Sequence, residues 1–131
     1  MTIKTRTKSG IRKASESALN MWWRRAVLAH WRGRCAICGS TYELECHHVI
    51  KRRKKVLRWD WRNGVALCTG CHRMLHDYPW KFEAKLRLDY EYLERWSNVT
   101  IKEHLLNIGM SEAEWTQKML TELKEKASGS L

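Results

Sequence analysis

The chain has 131 residues, 44 % of them hydrophobic and 30 % charged, with a net charge of +11. That is enough chain for one domain, and too apolar a composition for a disordered segment. No apolar run reaches the roughly 18 residues of a membrane-spanning helix, and the basic N-terminus lacks the apolar stretch of a secretion signal, which points to a bacterial cytoplasm. The lysine and arginine excess falls in the first 80 residues, whereas residues 81–131 hold nearly equal numbers of both signs. A localised basic surface favours a polyanion, because each neutralised phosphate releases condensed counterions.

Taken in chain order, residues 1–13 carry Lys4, Arg6, Lys8, Arg12 and Lys13 around Gly10, and are expected to form a flexible basic arm. Over 15–32, Leu19, Trp22, Trp23, Ala26, Val27 and Trp31 recur at helical spacing ahead of Gly33. This predicts a helix with its tryptophans in a core and a glycine cap at its end. A tight Cys35-Ala-Ile-Cys38 knuckle follows, then a strand over 42–50, a basic loop over 51–62 and an Asn63-Gly64 turn. A second strand at 65–67 leads into a short helix over 69–77, closed by Pro79. Phe82, Leu86, Tyr90 and Leu93 share one face of a helix expected from 80 to 96.

Thr100-x-x-Glu103 and Ser111-x-x-Glu114 are capping-box patterns that open two further helices on either side of Gly109. Their apolar stripe, with Ile101, Leu105, Ile108, Trp115, Met119 and Leu123, has three candidate partners. These are the core of the chain itself, a second copy, or another protein such as a phage or recombination protein. Residues 97–131 are expected to be a helical extension outside the catalytic machinery, after an arm (1–13) and a domain (14–96, motif core 34–78). The expected class is α+β, mostly helical.

Two ligand sets interleave over 35–76. Cys35 with Cys38 and Cys68 with Cys71 form two C-x-x-C pairs, the spacing at which knuckles each offer two corners of a tetrahedral zinc site. The stretch between the pairs exceeds the roughly 15–20 residues of a zinc ribbon, so something is inserted there. With cysteine at all four corners no position stays open for water, and the zinc reads as structural. The second set is histidine. His72 and His76 are four apart on the short helix and can face one ion. His47 and His48 are neighbours on a strand and point to opposite faces, so only one of them can join that ion while the other serves elsewhere.

The run from Cys35 through His47-His48, Asn63-Gly64 and Cys71-His72 to His76 resembles the HNH endonuclease motif in its four-cysteine form. Its H-H, N and H-x-x-x-H offsets are similar to those of nuclease colicin DNase domains. The resemblance covers about residues 34–78. It implies a ββα-metal core flanked by the N-terminal and C-terminal helices. His48 would be the general base toward the attacking water, His47, His72 and His76 the ligands of a catalytic divalent ion, and Asn63 the residue that fixes the loop and orients the base. Where this chain has His47 many family members carry an aspartate, which leaves Mg²⁺, Mn²⁺, Ni²⁺ and Zn²⁺ all open as the catalytic ion.

The implied activity is cleavage of DNA with little sequence specificity. The expected backbone contacts are Lys51, Arg52, Arg53, Lys54, Lys55, Arg58 and Arg62 of the basic loop, with Arg73 of the short helix. An alternative is a zinc module that binds nucleic acid without cutting it. That reading gives no reason for His48, Asn63, His72 and His76 to lie at nuclease offsets.

Overall fold

The computed structural model describes residues 10–129. Most of the basic arm therefore lies outside the described residues. Its last part is seated: the Arg12 carbonyl accepts from Gln117 at 2.7 Å, and the Ala14 amide donates to Thr116 Oγ1 at 3.0 Å.

Helix α1 (Glu16–His30) begins where Ser15 accepts from the Ala18 amide. It ends slightly earlier than periodicity suggests, because Arg32 and Gly33 both adopt left-handed backbone and the Gly33 amide returns to the Leu28 carbonyl at 2.9 Å. Strands β1 (Leu44–His48) and β2 (Gly64–Cys68) form an antiparallel pair, with Leu44 opposite Cys68 and His48 opposite Gly64. Strand β1 is shorter than the expected 42–50. Glu43 is left-handed at its start, and at its end Val49 leaves the ladder to donate to the Asn63 carbonyl.

The expected basic loop over 51–62 is only partly a loop. It contains helix α2 (Lys55–Arg58) and a 3₁₀ turn (Trp61–Asn63), and it buries Val56, Leu57, Trp59 and Asp60. The charges along this stretch hide a V-L-x-W turn whose apolar side faces the core. The Trp59 indole N–H donates to Asn20 Oδ1 of α1. Helix α3 (Thr69–Asp77) follows β2 directly, with Cys68 as its cap.

Pro79 opens a new element rather than closing α3: it is the first residue of α4 (Pro79–Phe82), where a missing N–H is harmless. The single helix expected over 80–96 is broken into α4, a 3₁₀ turn (Glu83–Lys85) and α5 (Tyr90–Ser97). Asp89 starts the last of these by accepting from the Tyr92 amide at 3.0 Å. Helices α6 (Ile101–Ile108) and α7 (Glu112–Ala127) begin at the two predicted caps, and Gly109 ends α6 in left-handed backbone. At Ser111 the box is complete, each residue's side chain bonding the other's amide.

The C-terminal stripe is buried on the chain's own core. Trp115, Met119 and Leu123 of α7 join Leu19, Trp23, Ala26 and Val27 of α1 and Trp59 in one apolar cluster. A second, smaller cluster gathers Cys35, Val65, Leu67, Leu75 and Leu86 beneath the cysteine knuckles. The architecture is thus mostly helical α+β around a ββα unit. Among the described residues no helix is long and apolar enough to cross a membrane.

Candidate active site

The four cysteines converge from two elements. In the first knuckle the Cys35 amide donates to Ser40 O, the Gly39 amide returns to Cys35 O, and the Ala36 amide ties the turn to Ala66 of β2. Cys68 and Cys71 come from the β2–α3 junction, where the Cys71 amide donates to Cys68 Sγ. All four sulfurs lie within 4.8 Å of one another, and Cys38 Sγ is 3.7 Å from Cys68 Sγ. Four thiolates about 2.3 Å from a tetrahedral zinc are about 3.8 Å apart, so the donor set fits that ion.

Burial opposes ionisation of Cys35, but the amides of Cys38, Cys68 and Ile37 outweigh it and bring the thiol down to about 6. Burial and the neighbouring sulfurs push Cys71 upward instead. A cation among the sulfurs would favour their thiolate forms.

The histidines form a second cluster, from β1 and α3. His47 of β1 and His72 and His76 of α3 bring ring nitrogens within 4.8 Å of one another, and His72 Nε2 lies 3.2 Å from His47 Nδ1. Two imidazoles bound at 2.0–2.1 Å to one ion have nitrogens about 3.0–3.4 Å apart. Burial first, then His72, His76 and His48, lower the His47 pKa to about 4, so its ring stays neutral and keeps a lone pair to donate. Glu45 Oε1 lies 3.2 Å from His72 Nδ1. A carboxylate there takes the Nδ1 hydrogen and leaves Nε2 free for a metal.

His48 turns the other way, as strand alternation requires. Its Nε2 is 2.9 Å from the Arg58 carbonyl, which has only lone pairs to offer, so Nε2 carries the hydrogen and Nδ1 is the basic nitrogen. Its ring lies flat on the indole of Trp23. Burial lowers its pKa; the Arg58 carbonyl works against that, while the charges of Arg52 and Arg58 add to it. His48 is therefore neutral at pH 7.

Asn63 is fully buried and acts as a clamp. Its Oδ1 accepts from the Ile50 amide at 2.7 Å, and its Nδ2 donates to Ile50 O at 3.0 Å and Leu57 O at 3.2 Å. It closes the segment between β1 and α2, whose far end carries the Arg58 carbonyl under His48. The Asn63-Gly64 pair is not a tight turn: Asn63 ends the 3₁₀ turn and Gly64 begins β2. Gly64 is required for a different reason, since a Cβ there would lie 2.2 Å from Val27 Cγ2 of α1.

All four histidines border one open cleft of about 660 Å³, which Arg24 of α1, Lys51 and Arg52 edge with positive charge. Of the other basic positions, Arg53, Lys54 and Arg73 are exposed. Lys55 is paired with Glu112 and Arg58 with Glu16, while Arg62 is paired with Asp60 and lies over Trp61. Cys46 is half-buried beside the cleft, its thiol toward the Arg24 carbonyl. His30 and His104 pack among Trp31, Trp61, Trp96 and Trp115, away from both ligand sets.

Sequence reading missed Trp23 as a neighbour of His48, and missed Glu45. For Glu45 a signal exists: two residues before His47 on a strand, it shares that histidine's face.

A two-stranded ribbon and a helix that carry both a cysteine cage and a histidine cluster in a basic cleft make a metal-binding module of the nuclease type. Residues 35–78 match the model of the family described as HNH endonuclease, so this segment is an HNH domain. No protein of curated function and no solved structure matches the chain.

Proposed function

We propose that the chain is a metal-dependent endonuclease that hydrolyses DNA phosphodiester bonds. The observation that carries this reading is the division of labour within one cleft. His47, His72 and His76 share a point suited to an ion, while His48, one residue from His47, lines the same cleft with only its Nε2 bonded, to the Arg58 carbonyl. A non-cutting zinc module has no use for that arrangement.

In this reading Arg24, Lys51 and Arg52 hold the backbone phosphate by charge. The Nδ1 of His48 takes a proton from the attacking water as its oxygen bonds to phosphorus. The bond from phosphorus to the 3′ oxygen breaks, giving a 5′-phosphate and, after proton uptake, a 3′-hydroxyl. An ion on His47, His72 and His76, whether Mg²⁺, Mn²⁺, Ni²⁺ or Zn²⁺, supplies charge to the developing anion and the leaving oxygen. The chain's part is to keep those three imidazoles aimed at one point, with Glu45 holding His72. The cysteine cage would hold a structural zinc, which would fix the start of α3 and with it His72 and His76.

The test is relaxation of supercoiled plasmid by zinc-loaded protein with each divalent ion. We expect nicking that EDTA stops and that His48→Ala lowers by roughly 10²–10⁴ while DNA binding survives. Binding without nicking under every ion would leave the non-catalytic module standing instead.

A further inference from the structure

The general base of the proposed reaction is held by a residue outside the matched segment. His48 lies on Trp23 of α1 with ring centroids 3.8 Å apart and planes within 3°. The single bond from Nε2 to the Arg58 carbonyl leaves the imidazole free to turn about its own N–H···O axis. A flat surface at van der Waals distance removes that rotation.

Trp23 is itself fixed. It is 3 % exposed, its Nε1–H donates to the Asp60 carbonyl at 2.9 Å, and its ring edge sits where Gly64 offers no side chain. The bond to Asp60 reaches the turn that ends in Asn63, so one indole is tied both to the base and to the clamp behind it.

We propose that Trp23 is a positioning residue for His48: its indole face sets the imidazole plane so that Nδ1, the nitrogen not bound to Arg58, is presented to the cleft. The inference rests on the DNA-cleavage reading above. A tryptophan that merely fills the core would touch His48 at any angle. A near-parallel stack, on the one histidine of the cleft that no ion would hold in place, gives the plane a purpose.

The experiment is a double-mutant cycle on the zinc-loaded full chain, read by plasmid nicking and by NMR of the His48 ring protons. Trp23→Leu should lower kcat roughly 10- to 100-fold with KM little changed, as expected for a reacting group displaced by about an ångström. Trp23→Phe, which keeps a flat face, should retain most activity. In the His48→Ala background Trp23→Leu should cost nothing further, because the group it positions is gone.

Independently of catalysis, the indole ring current should shift the His48 ring protons upfield in the wild type, and Trp23→Leu should abolish that shift. An equal loss with and without His48, or no upfield shift in the folded wild type, overturns the proposal while leaving the nuclease reading intact. If Trp23→Leu unfolds, the wild-type shift and Trp23→Phe decide: a missing shift, or a Phe variant as inactive as His48→Ala while folded, overturns it. A wild-type chain that shows the shift but cuts no DNA overturns the cleavage reading and this proposal together.

Discussion

Where α1 lies against α7, the chain buries Trp23, Trp59 and Trp115 among Leu19, Val27 and Leu123. Around the knuckles its buried set is five small or medium side chains, with Cys35 among them. Fully burying an aliphatic or aromatic side chain contributes about 1.5–3 kcal/mol, so the helical half can be held by apolar area alone. The knuckle half buries smaller side chains, and its four clustered sulfurs could hold an ion, which is expected to supply much of its cohesion. The candidate site lies across the seam, with His48 resting on the helical half and His72 and His76 on a helix that starts at the cage.

The most direct way to break this comparison is to take away the cage. Structural zinc is worth roughly 10–16 kcal/mol in small metal-folded domains. Cys71→Ser, or chelation, should therefore release α3 and both its histidines while α1 and α7 keep much of their helix. Hydrogen exchange read residue by residue checks this. Uniform loss of protection in both halves, or none in either, would show that the two are not held separately.

The converse change is Trp115→Ala. This residue is 1 % exposed and its ring neighbours Trp59, so the substitution should destabilise by about 3–5 kcal/mol in thermal or urea unfolding while the cage still takes up zinc. For the same reason a chain truncated after Trp96, which lacks α7 entirely, is expected to lose the fold of α1. A truncated chain with α1 still protected from exchange would contradict that.

These two halves were unequally legible in the sequence. The cage and the histidine cluster could be read because ligands must recur at fixed offsets, and two C-x-x-C pairs around H-H and H-x-x-x-H leave little freedom. The helix starts at Thr100 and Ser111 were legible too, since a cap is a local bond. What stayed hidden depends on contacts distant in sequence. Asn63-Gly64 reads as a turn from its two residues alone, but the asparagine is spent on Ile50 and Leu57 and the glycine on Val27. The stretch 51–62 looks like a solvated basic loop because its charges outnumber Val56, Leu57 and Trp59, which nonetheless decide its path. The break before Tyr90 depends on Asp89 capping a new helix, which a continuous apolar face conceals.

Gly64→Ala tests the seam itself. The added methyl would press on Val27 and lie 2.9 Å from Trp23 Cζ2, so α1 has to move off β2. Overpacking of this kind costs about 1–3 kcal/mol. It should also disturb the cleft, because Trp23 carries His48, while zinc uptake by the cage remains. Wild-type stability in this variant would mean that α1 is not seated closely on β2.

The smallest effect concerns how the arm and α2 are joined to α7. Glu112 pairs with both Lys55 and Lys13, at the first residue of α7. Lys55 first and then Lys13 hold its carboxyl below the usual value, against a small opposing effect of burial. Because the folded pKa is depressed, the stabilisation is present at neutral pH and is lost as pH falls through that value. The side chain is 38 % exposed, so solvent and salt screen the pair, and Glu112→Gln should cost less than about 1 kcal/mol at pH 7. The informative quantity is the difference between wild type and variant across pH, since any loss of zinc in acid is common to both. That difference should shrink toward zero as Glu112 is protonated, and should also shrink with added salt at neutral pH. A gap that persists in acid would mean that the amide side chain perturbs the start of α7 by shape rather than by charge.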